Sequence, residues 1–274
     1  MDQAFRAARR RRMTQEQHYT FGDTDRAAAR LQALARVFGP SSQSLLASLQ
    51  RSAGDLALDL GCGLGYTTAL LAAHVIESRV LGLDRSPKLL GQARRERSSE
   101  RVSFAQCDVS APPFPAPPAS LLYSRFLLTH LRDPAQVVQS WAACAQPGAR
   151  LVLEETAFMH GEHGAFPRYY GLVERMQAHY GQRMYIGEDL AALSESAAWR
   201  VEHAEVSVAS LPAIDMAGLH GSNLQTWSND PFAQANYDPA SLLELGAELA
   251  QIAAGEVPVG PVSCGMAQVV LRRR

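Results

Sequence analysis

The segment LALDLGCGLGYTTALL, residues 56–71, constrains the chain more than any other. Leu56, Ala57, Leu58 and Leu60 read as a short buried strand, and the apolar register after Tyr66 reads as a helix. Gly61, Gly63 and Gly65 fall in the turn between them. Glycine there admits positive φ and lets a ligand approach the backbone without meeting a Cβ, while the helix start offers unpaired N–H groups. Such a turn binds something, and the other segments must build a sheet around it.

They alternate accordingly. SRVLGLD (78–84) reads as a strand, Ser86 and Pro87 open a helix as cap and first residue, and RVSFAQCD (101–108) reads as the next strand. After the proline-rich APPFPAPPAS come the strand LLYS (121–124), a helix opened by Asp133 and Pro134, and a fifth strand, ARLVLEE (149–155). Apolar strands alternating with helices imply a parallel sheet covered on both faces, so residues 54–155 are expected to form a doubly wound α/β domain. Beyond 155 the rhythm changes. Helical patterns at 165–181 and in EDLAALSESAAW precede a strand at 200–208, a helical insertion at 209–261 and a last strand at 262–273.

A chain of 274 residues, 47% hydrophobic and 19% charged, can bury one substantial core with an attached subdomain. Its net charge of -1 gives no global reason to seek nucleic acid. Cys62, Cys107, Cys144 and Cys264 lie singly in apolar segments without metal or redox spacing, which suits reduced thiols in the cytoplasm. The arginines of residues 6–12 precede no apolar stretch, so the segment does not read as a secretory signal but as a solvated or disordered leader, with a phosphate-binding arm as the alternative. No window approaches the roughly 20 apolar residues of a membrane span.

Two ligands compete for the glycine turn. A dinucleotide would use Asp84 on a ribose, but the pattern here is G-x-G-x-G with Asp59 two residues ahead. A carboxylate there repels a pyrophosphate and attracts a cation, and S-adenosylmethionine carries an ammonium and a sulfonium without a phosphate. With LDLGCGLG (58–65), VLGLDRS (80–86), CDV (107–109), YSRFLLTHLRDP (123–134) and QPGARLVLEE (146–155) in order, the chain resembles the class I S-adenosylmethionine-dependent methyltransferases of small-molecule type. The resemblance implies a Rossmann-like, seven-stranded, mostly parallel sheet with an antiparallel last strand, plus helical lid insertions. It divides the chain into an N-terminal arm and cofactor-covering helices (1–53), the cofactor core (54–155), lid helices with one core strand (156–261, strand 200–208) and a final strand and tail (262–274).

By the same resemblance, Asp59, Gly61 and Gly63 would line the methionine portion, with Asp59 reaching the ammonium directly or through water. Asp84 would accept the ribose hydroxyls, Arg85 flank the adenine, Asp108 accept from its amino group, and the Val109 N–H face a ring nitrogen. Ser124 would lie near the transferred methyl. Ahead of the first strand, Tyr19 could contact the methionine end or staple the helix that follows, and Arg30 could pair with the ligand carboxylate or be solvated.

Half of the aromatic residues lie between Phe158 and Tyr237, either as an apolar lid over a small acceptor or as the core of the added helices. His130 stands where certain metal-assisted O-methyltransferases carry Glu-x-x-Glu-His, but Phe126 and Thr129 replace both acids, so no metal is expected there. His160, Glu162 and His163 have no familiar metal spacing either. The expectation is a cytoplasmic methyltransferase, monomer or homodimer, that yields S-adenosylhomocysteine and acts without nucleic acid or membrane partners. Its small acceptor would take the methyl on a hydroxyl or carboxyl oxygen, with nitrogen or carbon as alternatives and His130 as candidate base. A non-catalytic binder and a nicotinamide oxidoreductase are the rival classes.

Overall fold

The computed structural model describes residues 25–49 and 54–274. Five strands run parallel: β1 (Leu56–Leu60), β2 (Arg79–Asp84), β3 (Val102–Gln106), β4 (Ala119–Arg125) and β5 (Ala145–His160). With β6 (Trp199–Leu211) and β7 (Val262–Arg273) they form a seven-stranded sheet in the order β3-β2-β1-β4-β5-β7-β6. β7 is antiparallel to both neighbours, as expected of the last strand. The strand order reverses between β1 and β4, and open α/β sheets bind ligands beyond the carboxyl ends of the strands at such a switch. Every residue of β1 is buried, as its apolar composition requires of a central parallel strand.

Helix α1 (Asp25–Ser48) precedes the sheet and continues through Gly39 and Pro40. α2 (Tyr66–His74), α3 (Pro87–Arg97) and α4 (Pro134–Ser140) connect the parallel strands. Their starts follow the sequence. Ser86 Oγ accepts from the Leu89 N–H at 3.3 Å, and Asp133 accepts from the Gln136 N–H at 3.0 Å.

Beyond β5 come α5 (Ala165–His179), the short α6 (Leu190–Ser194), α7 (Ala213–Trp227), α8 (Pro231–Asn236) and α9 (Pro239–Ala253). α8 and α9 repeat the Asp–Pro start, Asp230 accepting from the Phe232 N–H at 2.8 Å and Asp238 from the Ser241 N–H at 2.9 Å. The helix expected over EDLAALSESAAW stops at Ser194. Ser196 turns the chain instead, its N–H donating to the Trp199 carbonyl at 3.0 Å and its hydroxyl accepting from the Trp199 N–H at 3.2 Å. β5 runs on through His160 because β7 pairs with it that far, so residues 156–160 belong to the sheet rather than to the helical layer. Among the described residues no helix is long and apolar enough to cross a membrane.

The apolar side chains form separate clusters on the sheet and a further one within the added helices. Phe166, Tyr169, Tyr170, Trp227 and Tyr237 are all buried in the latter, beside Phe38 of α1 and Met266 of β7. Trp199 does not join them; it packs in the sheet core and donates its indole N–H to the Val138 carbonyl at 2.9 Å.

Two adjacent carboxyls, Glu154 and Glu155, are buried within β5. Glu154 accepts from the Tyr123 hydroxyl and, at 2.7 Å, from Gln268 Nε2. Glu155 Oε1 accepts the N–H groups of Leu127 at 2.8 Å and Leu128 at 2.6 Å. Burial pushes the Glu155 carboxyl up to about 8 from an ordinary 4.5, so it is protonated at neutral pH. Because the folded value is raised, its contribution to stability is complete below about pH 4.5 and is lost as pH climbs through about 8. Glu155→Gln keeps an acceptor for both N–H groups and cannot ionise. Its melting temperature relative to wild type should therefore rise steadily from about pH 5 to about pH 9; a pH-independent difference in scanning calorimetry would contradict a carboxyl held neutral.

Candidate active site

Gly61, Gly63 and Gly65 all adopt left-handed backbone, with φ of +79°, +53° and +81°. The turn is tied to β2: the Gly61 and Cys62 N–H groups donate to the Leu83 carbonyl at 2.8 and 3.0 Å. The Gly63 N–H donates to Asp84 Oδ2 at 2.9 Å, and Asp84 Oδ1 accepts from the Ser86 N–H at 2.8 Å. Burial raises the Asp84 pKa, opposed by those two N–H groups and by Arg85. A carboxylate has about four acceptor positions. Asp84 thus braces the turn and keeps capacity for the two hydroxyls of a ribose.

The glycines differ in use. A Cβ on Gly63 would meet only Leu31 Cδ1 of α1, at 3.4 Å, and one on Gly61 would meet Leu127 Cδ1 at 3.0 Å. The turn therefore lies between α1 and the segment after β4. At Gly65 a Cβ would strike the Phe104 ring at 2.7 Å, so that glycine serves packing.

Asp59 is the penultimate residue of β1 and lies inside the fold. Only 1% exposed, it accepts from the hydroxyls of Thr67 at 2.7 Å and Thr68 at 2.6 Å with one oxygen, and burial pushes it up to about 6. It fastens β1 to the first turn of α2. Ser124 is likewise interior, donating to the Leu60 carbonyl at 3.1 Å and joining β4 to β1. Its hydroxyl serves the sheet in this structure. Asp108 is exposed at the end of β3, with Oδ1 accepting from the Ser110 N–H at 2.9 Å, and Val109 is buried with its carbonyl accepting from the Trp141 indole at 2.7 Å. Arg85 is exposed beside Asp84. Tyr19 and the arginine-rich leader lie outside the described residues.

After β4 the chain makes a strained turn. Phe126 has φ +54°, unusual for a bulky residue, and its ring meets Phe38 edge-on at 5.1 Å. Glu155 grips the next two N–H groups, and a single 3₁₀ turn, Leu128–His130, follows. His130 is half-buried with Nδ1 shielded from solvent. Desolvation and the charges of Arg30 and Arg85 push its imidazole down to about 3, so it stays neutral. Arg30 is 7% exposed on α1, and its charge reaches both His130 and Tyr169. A solvated role for it is excluded.

His160 ends β5, and His163 Nδ1 accepts from the Ala165 N–H at 3.2 Å at the start of α5. Among the described residues no three His, Cys, Asp or Glu side chains converge as a metal set. Sequence reasoning passed over Glu155, Thr67 and Thr68. The signal for Glu155 was present: two consecutive acids directly after the apolar run Leu151, Val152 and Leu153 of an inner strand.

Comparison with known proteins agrees with this geometry. Residues 58–153 match the family model described as a methyltransferase domain. Over 110 residues the chain is 38% identical to a trans-aconitate 2-methyltransferase of Methylobacterium nodulans, a match covering 40% of this chain and 42% of that protein. It is 27% identical over 135 residues to the aklanonic acid methyltransferase DauC of Streptomyces sp. strain C5, covering 47% of this chain and 61% of that one. The chain thus spans about two fifths to three fifths of the length of these curated relatives. The crystal structure of the BH2331 protein of Bacillus halodurans superposes with a TM-score of 0.56 at 18% identity, covering 85% of this chain and 97% of that one, which shows the fold.

The turn makes a direct prediction. Gly63→Val forces a β-branched residue into left-handed backbone, but its Cβ meets only the end of Leu31, so the fold should survive a cost of about 1–3 kcal/mol. Calorimetry should show affinity for S-adenosylhomocysteine reduced at least about tenfold in the folded variant. Asp84→Ala should weaken binding by about 1.5–3 kcal/mol through loss of charge-assisted bonds. Unchanged affinity in both would remove this turn from the site.

Proposed function

Because residues 58–153 form a class I S-adenosylmethionine-dependent methyltransferase domain, we propose that the chain methylates a carboxylate oxygen of a small organic acid in specialised metabolism. The observation that carries the choice of atom is the charge around the turn after β4. The buried Arg30 lies close enough to lower the His130 pKa, leaving a neutral and weakly basic imidazole beside a cation. A phenol or alcohol needs a base to take its proton, whereas a carboxyl is already ionised and is drawn towards positive charge. Bound S-adenosylmethionine supplies a methyl on a sulfonium, and a carboxylate that takes it becomes a methyl ester with no proton to remove. The names of both curated relatives specify acids as substrates, which supports this reading.

The chain's own residues would act as follows. The glycine turn and Asp84 hold the cofactor, with Asp59 and Leu83 fixing the turn; Asp108, Val109 and Arg85 flank the adenine end. Arg30 orients an anion, that of the acceptor or the cofactor's own carboxylate. Residues 54–155 form the cofactor core, α1 covers it, and the helices of 161–198 and 212–261 enclose the acceptor and exclude water. A hydroxyl acceptor with His130 as base is the second reading, favoured by the position of the imidazole on the 3₁₀ turn after β4.

The bond formed separates the two. Protein supplied with methyl-tritiated S-adenosylmethionine and a panel of carboxylic acids, trans-aconitate among them, should give a product that releases volatile labelled methanol in alkali. His130→Gln should keep turnover within a few-fold of wild type. An alkali-stable product, with turnover falling roughly 10²- to 10⁴-fold in that variant, would establish hydroxyl methylation instead.

A further inference from the structure

β4 stops pairing with β5 at Arg125, while β5 runs on beside β7 to His160. The Phe126 N–H still reaches the Glu154 carbonyl at 3.0 Å, but the N–H groups that follow lie beyond the last paired residues of β4. Backbone donors left unpaired in an interior are costly. Glu155 receives them with its side chain: Oε1 accepts from Leu127 at 2.8 Å and Leu128 at 2.6 Å, and the Thr129 N–H also acts on the carboxyl. The carboxyl thus replaces the missing ladder and starts the 3₁₀ turn, in which the His130 N–H donates to the Leu127 carbonyl at 3.0 Å.

The far end of that turn is held from the added layer. Thr129 Oγ1 donates to the Arg183 carbonyl at 2.6 Å, and Gln182 Nε2 donates to the His130 carbonyl at 3.3 Å. At the near end, the Leu127 side chain rests on the glycine turn. A Cβ on Gly61 would come within 3.0 Å of Leu127 Cδ1, 3.2 Å of Cδ2 and 3.4 Å of Cγ. Gly61 is tied to β2 through the Leu83 carbonyl, and β2 and β4 flank β1 on opposite sides. The turn after β1 is therefore held by a backbone bond on one side and by Leu127 on the other, and the backbone of Leu127 is set by Glu155.

We propose that Glu155 is a positioning residue of the cofactor site: it acts through Leu127, holding that side chain over Gly61 so that the glycine turn keeps the shape in which Gly63 and Asp84 receive the cofactor. The inference rests on the placement of the cofactor at this turn. The role requires an oxygen that accepts from backbone N–H groups and requires no charge, so glutamine serves in it and leucine does not. Without the acceptor the segment after β4 is free to shift, the wall over Gly61 is lost, and the preorganisation of the turn goes with it.

The test is calorimetric titration of the full chain with S-adenosylhomocysteine, at a temperature where circular dichroism shows each variant folded. Glu155→Gln should bind within about threefold of wild type, and Glu155→Leu at least about tenfold more weakly. Leu127→Ala leaves the bond to Glu155 in place and removes the wall, so it should bind at least about fivefold more weakly with its fold intact. In Glu155→Leu combined with Leu127→Ala the losses should not multiply, affinity staying within about twofold of Glu155→Leu alone, because both changes remove one wall. Wild-type affinity in Leu127→Ala or in folded Glu155→Leu, a tenfold loss in Glu155→Gln, or losses that multiply would each overturn the proposal. Should Glu155→Leu fail to fold, Leu127→Ala and Glu155→Gln decide the matter by themselves. Asp84→Ala separates the two levels of the argument: unchanged affinity there strikes the placement of the cofactor, whereas weakened binding there with full affinity in Leu127→Ala strikes the role of Glu155 alone.

Discussion

The ligand side of the sheet depends on one carbonyl. Leu83 accepts from both Gly61 and Cys62, which fixes the first turn after β1 against the end of β2. Asp84, the next residue, then falls within reach of the Gly63 N–H. One backbone oxygen thus sets the shape of the turn and the position of the acid beside it. The left-handed glycines make this geometry accessible, and Asp59 with Thr67 and Thr68 anchors the helix that starts there. Side chains from α1 and from the turn after β4 close in on either side.

The second half of the site depends on β5. Successive residues of a strand point to opposite faces, so Glu154 and Glu155 serve different partners. Glu154 joins Tyr123 and Gln268, linking three adjacent strands through side chains. Glu155 turns the other way and holds the backbone that leads to His130. A neutral carboxyl suits that task, since it accepts from two N–H groups without bringing a full negative charge into the interior. The strain at Phe126 persists because both flanks are fixed, by the Glu154 carbonyl on its own N–H and by Glu155 on the next two.

Much of this was legible in the sequence. The strand, glycine turn and helix of 56–71, the cap at Ser86 and the Asp133–Pro134 start are local signals whose physics operates within a few residues, and each stands where its spacing predicts. The same Asp–Pro signal at 230–231 and 238–239 divides the 209–261 insertion into its helices, the second of which coincides with the helical run ASLLELGAELAQIAAG (240–255). What escaped depends on distant partners. The inward roles of Asp59 and Ser124 are set by Thr67, Thr68 and the Leu60 carbonyl, and the burial of Glu155 follows from a turn 27 residues earlier in the chain. The aromatic richness beyond 155 was visible. Trp199 serves the sheet core while Tyr169 and Trp227 serve the helical layer, and only tertiary packing separates them.

The position of β7 has a consequence for how the protein is made. The strand nearest the C-terminus lies between β5 and β6, so both wait for residues 262–273 before they can join. During synthesis the five parallel strands emerge in order and can pair, but β5 presents an open edge to the cell and β6 has no sheet to belong to. Such edges invite pairing with other chains until they are covered. Completion of the sheet is therefore a late event, and the charged pair Arg272 and Glu202 joins strands that the ribosome releases about seventy residues apart. A nascent chain halted before β7 would carry a formed cofactor turn on an unfinished sheet, with the cost of closing that long loop still ahead of it.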